Sequence, residues 1–384
     1  MTRRNTIKAC AALLLAFGVM LMALAPKAEP AVPDRDIAGL APEAGAMALI
    51  ELESGEMLAG KNEDTELPMA STTKIMTALV VLENCDTEEL VSIPDEAVGT
   101  EGSSVYLQKG ESMKVKDLLY GLMLASGNDA AVALAVHAGG SVSGFVNMMN
   151  TRAEKMGLEH TAFVNPNGLH AAGHRTTALE LCRIAAEAMK NEDFREIVST
   201  KYYRCESGSV ERTFKNKNSL LWDYEGALGV KTGYTMAAGR CLVFAAEREG
   251  MTLIGAVLNC RPMFETAKEL LDSAFDTFTV ERIIGKGEAV TKAFVENGVK
   301  NVLEVCAKES IIVVMRKDEG RSFRTAVRLR PELKAPVEAG EKVGVLTVYE
   351  DEAVIGQTDL VAACSVRERD FCFWWKLLTR CFII

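Results

Sequence analysis

Histidine is scarce in this chain, with 4 in 384 residues, and proline is sparse at 10. So few imidazoles leave little room for histidine-based catalysis or metal binding. His170 and His174 stand four apart, but the intervening HAAGH follows Asn-Pro-Asn-Gly and reads as a loop, and no H-E-x-x-H occurs. We therefore expect no metal and no cofactor. No two of the 10 cysteines have C-x-x-C spacing, which removes support for a zinc ribbon or a thioredoxin-like site. Basic charge is also in deficit. The 43 Lys and Arg against 53 Asp and Glu give a net charge of −10, the wrong sign for a general nucleic-acid binder. There is no internal repeat and no low-complexity tract. What remains is 48% apolar and 25% charged, a composition with ample material for packed cores and none of the bias of a disordered chain.

The first 28 residues read as an export signal. Arg3, Arg4 and Lys8 precede residues 9–25 (ACAALLLAFGVMLMALA), which carry no charge and end in small residues at Ala23-Leu24-Ala25. At 17 residues the run lies at the lower edge for crossing a bilayer, so an uncleaved anchor is the alternative. Cys10 opens the run rather than closing it, which argues against a lipidated cysteine. Both readings put the body of the protein outside the cytoplasm, on the extracytoplasmic face of the membrane. Cutting after Ala28 removes four positive charges and no negative one, so −10 becomes −14. The other nine cysteines are scattered, mostly in apolar contexts, and read as free thiols. That is unusual outside the cell and points to a reducing or anaerobic setting.

Residues 26–36 are Pro- and charge-rich and read as a spacer. Residues 45–60 read as two strands around a Gly turn, and 72–83, 115–124, 129–138, 178–190 and 265–279 as helices. Strand-like runs lie around Val230 and at 241–247 and 252–259. Helices inserted between strands of one sheet predict a layered α/β domain over residues 35–279. From 280 to 365 the texture becomes short strand-like runs with turns, a small all-β domain. The last segment, residues 366–384, has four basic and two acidic side chains against the acidic body. On a helix, Lys376 and Arg380 share one face, while Phe371, Trp374, Trp375, Leu377, Leu378 and Phe382 lie mostly on the other. Two tryptophans beside basic residues suit a helix lying in the headgroup region of a membrane; docking on the protein's own surface is the alternative.

Three short motifs carry chemistry. Ser71-Thr72-Thr73-Lys74 opens the 72–83 helix, and at i, i+3 the serine and lysine share a face. A serine hydroxyl is a poor nucleophile until a base takes its proton. An amine can do so only when neutral, so Lys74 needs burial or a second nearby cation to lower its pKa. Ser126-Gly127-Asn128 falls in the break between two helices, where a hydroxyl and an amide can reach into a cleft. Lys231-Thr232-Gly233 ends a strand-like run; its cation and hydroxyl can hold a substrate carboxylate, and its glycine lets another backbone pass closely.

In this order, S-x-x-K, an S-x-N triplet and K-T-G form the set found in penicillin-binding proteins and β-lactamases. With MASTTKIMTALVVLE, LLYGLMLASGNDAAVALA, FVNPNGLH, NKNSLLWDYEGALGVKTGYTMAAGRCLV and KAPVEAGEKVGVLTVY, the chain resembles the low-molecular-mass penicillin-binding proteins, D-alanyl-D-alanine carboxypeptidases of the DacA/DacF type in serine peptidase family S11. The resemblance covers residues 38–365. It implies a β-lactamase/DD-peptidase-like (penicillin-recognising serine transferase) α/β fold followed by a small all-β domain. By resemblance, Ser71 is the nucleophile on peptidoglycan stem peptides and the acyl site for β-lactam antibiotics. Lys74 is the general base, Ser126 relays a proton, and Asn128 bonds Lys74 and the substrate backbone. Lys231, Thr232 and Gly233 bind the terminal carboxylate, and the N–H groups of Ser71 and Tyr234 form the oxyanion hole. Lys217 stands where relatives often carry a basic residue near that carboxylate, and Arg261, after the last sheet strand, is a second candidate although the local spacing there differs from many relatives. A β-lactamase needs a glutamate to activate the deacylating water, usually within E-x-x-L-N, and the corresponding EHTAFVNPNGLH lacks it. A DD-endopeptidase has the same triplets, so these motifs leave that alternative open. A non-catalytic wall-binding protein need not keep all three intact.

Overall fold

The computed structural model describes residues 35–371 and 373–375. The expected export signal, the start of the spacer, Cys372 and residues 376–384 lie outside the described residues. The chain divides into two compact units, one running through Thr279 and the other beginning at Val280.

The first unit is built on an antiparallel five-stranded sheet of order β2-β1-β9-β8-β7. Its strands are β1 (Ala46–Glu51), β2 (Met57–Lys61), β7 (Ala227–Thr235), β8 (Gly239–Arg248) and β9 (Met251–Leu258). Small hairpins supply β3 (Leu90–Ser92) with β4 (Ser112–Lys114), and β5 (Tyr202–Arg204) with β6 (Thr213–Lys215). The register pairs Ala48 with Ala256, Val243 with Ala256, and Lys231 with Val243. Strands β1 and β9 are buried along their whole length, because helices cover both faces. That is why they read as continuous apolar runs rather than alternating ones.

The helices of six or more residues are α1 (Lys74–Asn84), α2 (Val115–Tyr120), α3 (Asn128–Gly139), α4 (Val142–Lys155), α5 (Ala178–Met189), α6 (Glu192–Ser199) and α7 (Met263–Thr277), with shorter helical turns at Arg35–Gly39 and Leu220–Asp223. Helix α5 packs on β1 and β9, α6 on β7, and α7 on β8 and β9. Alternate sheet residues Ala48, Ile50, Val243, Ala245, Ile254 and Ala256 face the main helical core with Ile75, Leu79, Leu119 and Leu134. Helix α1 lies inside this layer: all of Lys74 to Val81 is buried. That position decides the chemistry, since a lysine at its first turn has to give up its water.

The sequence-based reading differs in detail. The Ser71 motif is not the first turn of an α-helix but a 3₁₀ turn, Ala70–Thr73, and Lys74 is the first α-helical residue. The helix expected at 115–124 changes after Tyr120 into a π-helical turn, Gly121–Ala125. Such a turn widens the backbone ring and often marks a functional site; here it ends on Ser126 in the left-handed region, φ 67°. Helices α4 and α6 carry no expectation above. Both have N-cap side chains, Ser141 accepting from Gly144 N and Asn191 from Phe194 N.

The second unit contains a five-stranded antiparallel sheet of order β11-β12-β16-β15-β14. These strands are β11 (Ala289–Phe294), β12 (Val302–Ala307), β14 (Phe323–Leu329), β15 (Lys342–Glu350) and β16 (Ala353–Ala362), while β10 (Phe278–Ile284) pairs with β13 (Ile311–Arg316). Its own core includes Val295, Leu303, Val305, Val343, Val348 and Leu360. The cysteines at 85, 182, 205, 241, 260, 306 and 364 are free thiols; 182, 241 and 260 are buried, and Cys364 is exposed.

Candidate active site

Ser71 sits where the 3₁₀ turn meets α1, against the edge strand β7. The turn is entered through Ala70 at φ 49°, a conformation an L-residue adopts only when its surroundings enforce it. Two glycines make room for it. A Cβ on Gly168 would stand 1.9 Å from the Ala70 carbonyl oxygen, and one on Gly233 would stand 3.0 Å from the Ser71 nitrogen. The K-T-G glycine is thus the point at which β7 passes the nucleophile.

Lys74 Nζ lies 3.2 Å from Ser71 Oγ, 2.7 Å from Asn128 Oδ1 and 2.6 Å from the Asn167 carbonyl oxygen. Two of these neighbours are carbonyl oxygens, which only accept. A neutral amine has two N–H bonds and one lone pair. Its two hydrogens go to Asn128 and Asn167, so the lone pair is left for the Ser71 hydroxyl to donate to. Lys74 is fully buried. Burial is the largest cause holding its amine well below the usual lysine range; the positive charges of Lys231 and Lys217 push it further down, and the Asp129 carboxylate opposes them. None of the three contacts on its amine is a charged group.

Lys231 is buried on β7, its Nζ donating to the Thr232 carbonyl at 2.9 Å. Burial, then Lys217, lowers it to about 7. Lys217 lies at the surface just after β6, and its charge is felt at both buried amines. The residue before Lys231, Val230, has φ 91°, a strained value for a β-branched side chain. Thr232 is half-buried, and Tyr234 is 55% exposed with the Arg240 guanidinium 5.8 Å from its ring centroid. Ser126 is buried two residues before Asn128. Asn128 is clamped on its other side, its Nδ2 donating to the Glu101 carbonyl at 2.6 Å. The structure thus brings Ser71, Lys74 and Asn128 into contact, with the K-T-G strand against Ser71 and Ser126 buried two residues before Asn128. It does not bring Arg261 in. That residue is exposed in the turn after β9, two strands away from β7, and no hydrogen bond joins it to the group.

Two contributors have no signature in the triplets. One is the Asn165–Leu169 loop. Asn165 Oδ1 accepts from Gly168 N at 2.7 Å and Asn165 Nδ2 donates to the Leu169 carbonyl at 2.8 Å. The loop so fixed presents the Asn167 carbonyl to Lys74 and the Pro166 carbonyl to Thr77 Oγ1 at 2.6 Å. The segment in which a β-lactamase would carry its glutamate therefore offers a main-chain carbonyl to the lysine, and Glu159 is exposed.

The other contributor is His174, left above as a loop residue. It is buried, with Nε2 2.7 Å from Thr73 Oγ1. Val164 N donates to its Nδ1 at 3.0 Å, so Nδ1 is the acceptor and Nε2 carries the proton. Thr73 Oγ1 passes a hydrogen bond on to the Ala70 carbonyl at 2.8 Å, which ties His174 to the strained residue before Ser71. Burial, helped by His170, lowers its pKa from 6.5 to about 4. An unfolded chain then takes up this proton first as pH falls. The fold loses stability between pH 6.5 and about 4 and is unaffected by this group above that window, a loss of about 3 kcal/mol from one residue. Denaturant unfolding of the wild type and of a His174→Gln variant across this range checks it: the variant's stability should fall less with acid, and parallel curves would remove His174 from the account.

Residues 34–261 match the family model described as D-alanyl-D-alanine carboxypeptidase, and residues 278–368 match the C-terminal domain of penicillin-binding protein 5. The chain is 32% identical over 372 residues to D-alanyl-D-alanine carboxypeptidase DacF of Bacillus subtilis, covering 94% of this chain and 96% of the relative. It is 43% identical over 223 residues to a D-alanyl-D-alanine carboxypeptidase of Streptomyces sp. strain K15, covering 53% of this chain and 77% of that one. Among solved structures, penicillin binding protein 5 from Haemophilus influenzae matches with a TM-score of 0.68 at 28% identity, covering 85% of this chain and 98% of that one. The Streptomyces K15 DD-transpeptidase matches with a TM-score of 0.58 at 38% identity, covering 61% and 97%. With the penicillin-recognising fold and its all-β companion domain both matched, the chain belongs to the D-alanyl-D-alanine carboxypeptidase family of serine peptidases and is an enzyme of that class.

Proposed function

We propose that this enzyme removes the terminal D-alanine from peptidoglycan stem peptides through an acyl-enzyme on Ser71. The observation that carries the reading is the buried Lys74 amine, with two carbonyl acceptors and its third contact to Ser71 Oγ at 3.2 Å. Lys74 takes the Ser71 proton as Oγ attacks the carbonyl joining the two D-alanines. The N–H groups of Ser71 and Tyr234 stabilise the oxyanion, each worth about 3 kcal/mol in sites of this kind. Lys231 and Thr232 hold the terminal carboxylate, with Lys217 adding positive charge at the rim. Ser126 passes a proton to the departing D-alanine nitrogen, and Asn128 keeps Lys74 aimed. Water then attacks the ester, with Lys74 again taking a proton, and Ser71 is regenerated. A β-lactam presents the same acyl group without a leaving group that departs, so its ester on Ser71 persists.

The Streptomyces K15 relative at 38% identity is a DD-transpeptidase, and an amine can replace water in the second step. Product analysis on a purified wall pentapeptide, with and without an added amine acceptor, separates the outcomes. Free D-alanine with a shortened peptide supports the reading. A new cross-linked product in place of hydrolysis, or cleavage of pre-formed cross-links alone, contradicts it.

We further propose that the enzyme acts at the outer face of the membrane, exported by its first 28 residues and held there by residues 366–384. Phe371, Trp374 and Trp375 at the start of that segment are exposed, and Phe371 stacks on Trp375 one turn on. Aromatic side chains beside the basic residues of this segment suit a helix lying in the headgroup region. Deleting residues 366–384 should release active protein from vesicles of anionic phospholipid in a flotation assay; continued flotation would contradict the anchoring role.

A further inference from the structure

Beside Asn128 runs an irregular segment, residues 99–111. Its Ser103 carbonyl accepts from Asn128 N at 2.7 Å, and its Glu101 carbonyl from Asn128 Nδ2. The stretch just beyond is braced from two sides. From one side the Asp129 carboxylate accepts from Ser104 Oγ at 2.6 Å, Val105 N at 3.0 Å and Leu107 N at 3.1 Å. From the other, Arg212 donates to the Val105 carbonyl at 2.9 Å and to the Tyr106 carbonyl at 2.8 Å. Arg212 is itself held by a buried ion pair with Glu111 at 2.7 Å. Tyr106 N donates to Ser104 Oγ at 2.9 Å. Val105 and Tyr106 thus have every backbone polar group bonded.

What this frame holds up is unexpected. Tyr106 has φ 60°, in the left-handed region where a bulky side chain is costly and glycine or asparagine is the usual choice. Its ring is 77% exposed, and among the described residues it stacks on no other ring and its phenol makes no hydrogen bond. Folding alone rewards neither the conformation nor the exposure of so large an apolar surface. A buried ion pair and a buried carboxylate are committed to keeping a strained tyrosine in water, in the same segment whose Ser103 and Glu101 carbonyls hold the asparagine that aims Lys74. Strain that the surroundings over-determine is found at ligand contacts.

The charges on the two sides of Ser71 indicate which part of a ligand this segment meets. The positive charges of Lys231 and Lys217 lie on the β7 side, so a terminal carboxylate is drawn there. The Asn128 side, with its exposed Glu101, is left for the chain that precedes the two D-alanines. We propose that Tyr106 is a specificity-determining residue whose ring packs on the third stem-peptide residue, favouring an aliphatic side chain that ends in an amine. The methylenes meet the ring face and the ammonium sits over its negative potential. This rests on the peptidase reading above.

The test compares N-acetyl-Lys-D-Ala-D-Ala, with its side-chain amine free, and N-acetyl-D-Ala-D-Ala on the full chain. Tyr106→Ala should lower the ratio of kcat/KM for the longer over the shorter peptide about tenfold, through KM. Tyr106→Phe should keep the wild-type ratio. Tyr106→Gly should lose the ratio as alanine does while its Tm does not fall, because glycine removes the ring and relieves the backbone. An unchanged ratio in Tyr106→Ala, an equal loss on both peptides, or a phenylalanine variant as poor as alanine overturns the proposal. Should the wild type release no D-alanine from either peptide, the peptidase reading fails by itself. The tyrosine is then judged by the same ratio in Kd, measured with Ser71→Ala and the Ser71→Ala, Tyr106→Ala double variant.

Discussion

Ser71→Ala will abolish both covalent labelling by penicillin and D-alanine release, lowering the rate by about 10⁴-fold or more. No other hydroxyl can take its place. Among the described residues, Oγ of Ser71 is the hydroxyl in contact with the Lys74 amine, at 3.2 Å. Ser126 has its backbone fixed at φ 67° after the π-helical turn, and Thr73 Oγ1 is committed to the Ala70 carbonyl and His174. The substitution removes one exposed-side oxygen and leaves the fold's core untouched, so Tm should hold. Labelled protein on a gel with radioactive or fluorescent penicillin gives the readout, with residual labelling at wild-type rate as the contrary result.

Lys74→Arg will be nearly as damaging, slowing acylation by on the order of 10³-fold. The guanidinium has a positive charge and N–H groups for Asn128 and Asn167. It cannot give up its proton in a protein, and it has no lone pair to offer Ser71. A lysine that acted only as a charge or a hydrogen-bond donor would be replaced with modest loss. The substitution therefore separates a base from a tether, and acylation within tenfold of wild type would make Lys74 a tether.

Much of this site was legible before any fold was known because it is made of side chains. Ser71, Lys74, Asn128 and Lys231 announce themselves by type and spacing, and the need for a buried lysine with a second cation nearby follows from amine chemistry. What was not legible is made of backbone and of distance. The Asn167 carbonyl that fixes the Lys74 geometry belongs to every residue type equally. The link from His174 through Thr73 to the strained Ala70 spans 101 residues of sequence, and a lone histidine beside Asn-Pro-Asn-Gly gives no hint of it. Helix α1 could be placed by periodicity, but the 3₁₀ turn that carries Ser71 could not. It is imposed by Gly168 and by β7 pressing on it, not by local preference. The π-helical turn before Ser126 is likewise a product of packing. Arg261 shows the opposite failure, a basic residue close in sequence order to the last strand but two strands away from the group it was expected to join.

The measurement that bears most directly on this account is the ionisation of Lys74 itself. Lysine ¹⁵N labelling, with the Lys74 Nζ resonance assigned by its loss in Lys74→Arg, follows that one amine by NMR as pH is raised. The account predicts that the Lys74 amine loses its proton well below the ordinary lysine pKa of about 10.4, and that its titration shifts upward when Lys231→Met removes the cation with the larger effect on it. A Lys74 that stays protonated past pH 10 in the wild type would contradict the mechanism at its first step.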